Sequence, residues 1–233
     1  MSEVEIQARD GGTFKAYIAM PAVTPAPAII MIQEIFGINK EMRDKCDALA
    51  DQGYIAICPD LFWRIEPGIE LTDQIEEELK RAFELFGAFD QDKGMEDLKA
   101  TLAFMRDHDA CNGKIGCMGY CLGGKLAYEM AAETDINASV SYYGVGLGAM
   151  LDKADNFSHP VLIHIAGDDE FTPKDEQEKI IEAMKDNDYA ITYRYTGMDH
   201  AFARGNGIHY NKEAADLAND RSYKFLEDNL KAA

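Results

Sequence analysis

The stretch Gly119-Tyr120-Cys121-Leu122-Gly123-Gly124 constrains this chain more than any other. Before it runs Lys114-Ile115-Gly116-Cys117-Met118, a short apolar segment with strand character. After it Leu122, Leu126 and Met130 recur every four residues, a helical stripe that continues to Glu133. A strand must therefore turn directly into a helix at Cys121. The glycines have a steric reason to be there: the central residue sits in a strained backbone conformation, and a side chain at a flanking position would collide across the turn. The turn lifts the thiol clear of the sheet. It also leaves the next backbone N–H, that of Leu122, at a helix N-terminus, where developing negative charge can bind. A buried structural thiol is the ordinary role of a free cysteine, so the rest of the chain has to supply partners.

Taken in order, residues 4–9 and 14–20 alternate apolar and polar around Asp10-Gly11-Gly12, which predicts an opening β-hairpin. Residues 28–33 and 54–58 are continuous apolar runs, the mark of strands buried on both faces. A helix is expected between them, up to about residue 52, and two more over 73–89 and 94–108, after an irregular loop at 61–72. Strands are expected at 138–143, 160–166 and 190–195, with helices at 173–187 and 211–231. Strands alternating with helices, without an internal repeat, predict one α/β domain over 1–233. Its sheet should be mostly parallel and covered by helices on both faces.

A net charge of −19 disfavours nucleic acid or an anionic membrane as partner, since both would be repelled. No apolar run approaches transmembrane length, and no export signal is visible at the N-terminus. Five cysteines without framework spacing then fit reduced thiols in a cytoplasm. No His, Cys and carboxylate cluster has metal-ligand spacing, so neither metal nor cofactor is expected.

Two further loops follow strands on the side where open α/β sheets build their sites. One is Gly167-Asp168-Asp169-Glu170-Phe171-Thr172-Pro173, and the other is Gly197-Met198-Asp199-His200-Ala201-Phe202. Cys121, then an acid, then His200 is the nucleophile–acid–histidine order of the α/β-hydrolases, with Cys121 on the G-x-C-x-G elbow. His200 would be base to the thiol, and the acid would fix its tautomer and stabilise the imidazolium. The other histidines have simpler roles: His164 inside a strand, His159 before a proline, His108 and His209 in polar stretches. Asp168 and Asp169 compete as the acid, with Asp199 a poor third, and spacing alone does not choose between the first two.

Together, Gln33-Glu34-Ile35-Phe36-Gly37, Gly119 to Gly124, Tyr142-Tyr-Gly-Val-Gly146 and His200-Ala-Phe-Ala-Arg204 resemble the dienelactone hydrolase family over essentially the whole chain. The resemblance implies the α/β-hydrolase fold and a cysteine hydrolase of carboxylic esters or lactones. It selects Asp169, because the family acid is followed by an aromatic two residues on and then a proline, here Phe171 and Pro173. It implies oxyanion donors at the N–H groups of Leu122 and Ile35, a carboxylate at Glu34 that takes part in thiol activation, and Arg204 as partner of a substrate carboxylate. Phe36, Leu79, Phe83 and Tyr142 would line the substrate. Dienelactone hydrolases carry an arginine and, one turn later, a tyrosine where this chain has Leu79 and Phe83. That departure points toward neutral esters. The expected partner is a small ester or lactone, and the expected state a monomer or weak homo-oligomer. Two competing readings are a hydrolase-fold protein that binds a small ligand without turnover, and a thiol redox enzyme using Cys117 with Cys121.

Overall fold

The computed structural model describes residues 2–231. Eight strands form one sheet in the order β1-β2-β4-β3-β5-β6-β7-β8, and the chain divides into two compact units, Met1–Gly116 and Cys117–Ala233.

In the first unit, β1 (Ser2–Gln7) and β2 (Thr13–Ala19) form the antiparallel hairpin, and β2 pairs antiparallel with β4 (Ile55–Pro59). The hairpin turn holds Gly11 and Gly12 at φ 96° and 86°, a region that glycine enters without a Cβ penalty. β3 (Ala26–Ile32) runs parallel to β4, and every residue of both is buried, as continuous apolar runs require. α1 (Lys40–Asp51) buries Met42, Cys46, Leu49 and Ala50 along one stripe, and Asn39 caps it by accepting a hydrogen bond from Met42 N–H at 3.1 Å. α2 (Glu76–Ala88) starts with three glutamates in its first turn, where the helix dipole favours them. α3 (Gln91–Arg106) begins at the Asp90 cap, three residues before the sequence pattern suggests, because that side chain accepts from Lys93 N–H.

β5 (Cys111–Tyr120) leads into the second unit, which continues with α4 (Leu122–Glu133), β6 (Ala138–Tyr142), β7 (Val161–Ala166), α5 (Lys174–Met184), β8 (Ala190–Tyr195) and α6 (Lys212–Leu230). β6, β7 and β8 are parallel, with Tyr142 beside His164 and Ala166 beside Tyr195. Strand alternation divides β7 between two faces. Val161, Ile163 and Ile165 pack with Tyr128 and Ala131 of α4 and with Ile180 and Met184 of α5. His164 points the other way and bonds Ser222 of α6. Helices therefore cover both faces here, as the doubly covered sheet read from sequence requires. The segment between β6 and β7, which the sequence leaves unassigned, forms two short 3₁₀ turns, Leu147–Ala149 and Leu151–Asn156. Among the described residues no helix is long and apolar enough to cross a membrane.

Ile163 lies at the centre of the α4/α5 face with no exposed surface. Ile163→Ala should cost about 2–5 kcal/mol through lost burial and the cavity left behind. Urea unfolding should show a lower midpoint with an unchanged slope. An unchanged midpoint would mean that this face is not a packed core.

Candidate active site

No loop separates β5 from α4. Cys121 alone stands between them, at φ 55° and ψ −113°. Such backbone costs a residue with a Cβ about 1–3 kcal/mol, so its surroundings must hold it. Cys121 N–H donates to Tyr142 O at 3.0 Å, and Lys125 N–H donates to Cys121 O at 3.1 Å. Missing side chains make room. A Cβ on Gly119 would sit 2.0 Å from Gly123 O, and one on Gly124 would sit 2.4 Å from Tyr142 O. The first clash is the collision across the turn expected from sequence. The second involves the end of β6, which local sequence does not reveal. Leu122 N–H is among the first-turn donors of α4, which have no intrahelical carbonyl to bond.

Asp169 follows β7 and is buried. Its Oδ2 lies 2.7 Å from His200 Nδ1, and its Oδ1 accepts a hydrogen bond from Phe171 N–H at 2.8 Å. Asp168 is exposed beside Lys174, and Asp199 pairs with His209 near the surface. His200, on the loop after β8, is 8% exposed. The rings of Tyr143 and Phe171 meet it edge-on, with centroids 5.2 and 4.9 Å away. With Nδ1 engaged by Asp169, Nε2 has no partner of ordinary hydrogen-bond geometry among the described residues, although the Cys121 sulfur is near enough to act on its charge. Loose thiol–imidazole contacts are common before substrate binds.

Burial is the largest influence on the His200 imidazole and pushes its pKa down. Negative charge at Cys121 and the Asp169 carboxylate more than reverse this and raise it to about 10. Such a pair stabilises the fold fully below the ordinary histidine value, and the contribution is lost as pH rises toward the raised one. Cys117 differs. It is wholly buried, its sulfur lies 3.2 Å from Ser139 Oγ, and burial raises the thiol to about 12, which makes it a poor redox partner for Cys121. All five cysteines are free thiols.

The remaining residues expected from sequence divide between the two units. Arg204 is buried on the His200 loop, where its N–H donates to Ala201 O at 3.0 Å. Tyr142, expected to line the substrate, lies in the interior of the second unit. It has no exposed surface, its hydroxyl bonds Ser222 and Asn219, and its ring lies on those of Tyr120 and His164. The physical reason is alternation: its register with His164 turns it toward α6. The tyrosine that meets His200 is the next one, Tyr143. Phe202 packs against it, with ring centroids 5.6 Å apart. Tyr143, Phe171 and Phe202 were not assigned from sequence, although two of them lie inside the motifs that carry the resemblance. In the first unit, Glu34, Ile35 and Phe36 follow β3 and are buried. On α2, Leu79 is half-buried and Phe83 is 45% exposed, while Arg81 pairs with Glu66 and Glu84. No group of three potential metal ligands occurs among the described residues.

A mostly parallel sheet with a strained thiol between strand and helix, and with an acid and a histidine on later loops, is the α/β-hydrolase fold. Residues 14–230 match the dienelactone hydrolase family, and the chain belongs to that family of hydrolases. A relative from Azospirillum brasilense is 46% identical over 232 residues, covering 99% of this chain and 100% of its own. The carboxymethylenebutenolidase of Pseudomonas putida is 43% identical over 223 residues, covering 96% of this chain and 94% of its own. A crystal structure from Klebsiella pneumoniae superimposes with a TM-score of 0.83 at 26% identity, over 96% of this chain and 97% of the other.

Titration of His200 by ¹⁵N NMR should give a pKa near 10, well above an ordinary histidine. Cys121→Ala or Asp169→Asn removes a raising charge and leaves burial in place, so each should move the value down. A His200 pKa unmoved by Cys121→Ala would show that the thiol and the imidazole do not interact.

Proposed function

We propose that this chain hydrolyses carboxylic esters or lactones through a thioester on Cys121, with His200 as acid and base and Asp169 as its orienting carboxylate. The observation that carries this reading is the Asp169–His200 contact of 2.7 Å, with the Cys121 sulfur near enough to act on the charge of that histidine. In the first step His200 Nε2 holds the proton given up by the Cys121 thiol, the sulfur attacks the carbonyl carbon, and the C=O electron pair moves onto oxygen. The oxyanion is held by Leu122 N–H at the start of α4. The family motif adds Ile35 N–H as a second donor and Glu34 as a carboxylate that assists thiol activation. Collapse expels the alkoxide, which takes the proton from His200 Nε2. Water, deprotonated by the same nitrogen, then cleaves the thioester and restores the thiol. Asp169 accepts from Nδ1–H throughout, fixes the tautomer and stabilises the imidazolium. No step requires a metal or a cofactor.

Substrate class is argued from charge. A buried ligand carboxylate needs a charge-assisted partner, ideally bidentate arginine, or desolvation opposes its binding. Arg204 is the motif-matched cation. Where the family carries its second arginine and its tyrosine, α2 presents Leu79 and Phe83. Arg81 lies two residues on, about 200° around the helix, and is already paired with two glutamates. We therefore assign neutral, moderately apolar esters or lactones as substrates handled at least as well as a carboxylate-bearing dienelactone.

Cys121→Ala and His200→Ala should each lower kcat/KM for a neutral aryl ester by about 10³-fold or more while the far-UV spectrum stays unchanged. The double variant should be little worse than either, because the two groups act as a unit. Full turnover by Cys121→Ala would reject the mechanism. In one buffer, kcat/KM for the aryl ester should equal or exceed that for the dienelactone. A preference of several orders of magnitude for the dienelactone would reject the substrate assignment and leave the mechanism standing.

A further inference from the structure

His164 has no exposed surface, yet both of its ring nitrogens are engaged. Nδ1 lies 2.8 Å from the Tyr195 hydroxyl, and Nε2 lies 2.8 Å from Ser222 Oγ. Those partners are engaged in turn. Arg221 Nη1 donates to the Tyr195 hydroxyl at 3.1 Å, Ser222 Oγ meets the Tyr142 hydroxyl at 2.7 Å, and the Tyr142 hydroxyl donates to Asn219 Oδ1 at 3.0 Å.

The Asn219 end fixes the direction of each bond as far as His164 Nε2. A guanidinium only donates and an amide oxygen only accepts, while each hydroxyl carries a single proton. Tyr195 accepts from Arg221, which leaves its own proton available for His164 Nδ1. Tyr142 gives its proton to Asn219, so it accepts from Ser222. Ser222 in turn accepts from His164 Nε2–H. His164 therefore carries its proton on Nε2, and in the neutral ring that burial favours Nδ1 takes the Tyr195 proton, so the chain runs one way, Arg221 to Tyr195 to His164 to Ser222 to Tyr142 to Asn219. Its basicity agrees: burial first, and the nearby Arg221 charge second, push its pKa down to about 3.

The chain joins β8, β7, α6 and β6, and it ends beside the reacting groups. Tyr142 O holds Cys121 N–H at 3.0 Å. Tyr143 N–H donates to His164 O at 2.7 Å, and the Tyr143 ring, on a residue at φ 37°, meets His200. The Tyr195 ring lies 4.8 Å from that of Phe202, two residues beyond His200. An apolar side chain would fill the position of His164 without four buried polar groups that must all be satisfied, and a half-made network in a dry core is costly. A role beyond filling space follows.

We propose that His164 is a positioning residue, which through this one-way hydrogen-bond chain holds the ends of β6 and β8, and with them Cys121 and His200, in register for proton transfer. The proposal rests on Cys121 and His200 being nucleophile and base. Its first test does not depend on turnover: ¹⁵N NMR of the wild-type protein should show His164 neutral with its proton on Nε2 from about pH 5 to about pH 9. A proton on Nδ1, or an imidazolium, would overturn the chain.

The second test compares His164→Leu, which removes both links, with His164→Gln, whose amide can accept at oxygen and donate at nitrogen. Rates for a neutral aryl ester are referenced to the folded fraction read from the near-UV circular dichroism, so that a loss of folded protein does not count. His164→Leu should lower kcat about tenfold or more with KM within about threefold, and His164→Gln should recover most of that loss. A kcat for His164→Leu within about twofold of wild type would overturn the proposal. Should His164→Leu not fold, Tyr195→Phe and Ser222→Ala each cut one link, and the same kcat loss is expected. Wild-type kcat in both would overturn it. Unimpaired turnover by Cys121→Ala would instead mark failure of the catalytic reading, and the tautomer measurement would still stand.

Discussion

The backbone of Cys121 is the constraint on which the site depends. A positive φ at a residue with a Cβ persists only where neighbours over-determine it. Here they are backbone atoms: the Tyr142 carbonyl on the Cys121 N–H, and the Gly123 and Tyr142 carbonyls pressed against Gly119 and Gly124. A cysteine in an unstrained strand would lie flat in the sheet with its N–H in the ladder. Held at the turn instead, it sits at the head of α4, next to donors that have no helical partner.

Face selection by strand alternation does the rest in the second unit. Val161, Ile163 and Ile165 of β7 join an apolar core with α4 and α5, while His164 on the opposite face bonds α6. The first set supplies the rigid packing. The second carries a buried polar chain whose members all find partners. Loops leaving the ends of β7 and β8 then bring Asp169 and His200 within hydrogen-bond distance, although they are 31 residues apart in sequence. Phe171 ties the two together. Its N–H bonds Asp169 while its ring lies against His200, so the acid is held by the same residue that helps to enclose the base.

Much of this is legible in sequence because it is periodic or local. Continuous apolar runs mark β3 and β4, four-residue spacing marks α4, and the steric role of Gly119 follows from the turn alone. What is not local is lost. The clash that makes Gly124 necessary lies with Tyr142, and Asp168 and Asp169 are alike by spacing until geometry puts one beside His200 and the other in solvent. Tyr142 and Tyr143 part by alternation: register with His164 puts Tyr142 on the α6 face, while the Tyr143 ring meets His200. His164 reads from sequence as an ordinary strand-core residue, since its partner Ser222 lies 58 residues away.

The central claim is that Cys121 becomes covalently acylated during turnover. Rapid acid quench of the protein mixed with a slow neutral aryl ester, followed by mass spectrometry of proteolytic fragments, tests it most directly. The expected result is an acyl mass on the fragment containing Cys121, released by hydroxylamine and absent from Cys121→Ala. Turnover with no acylated fragment under the same quench, or with the acyl group on another side chain, would contradict the account.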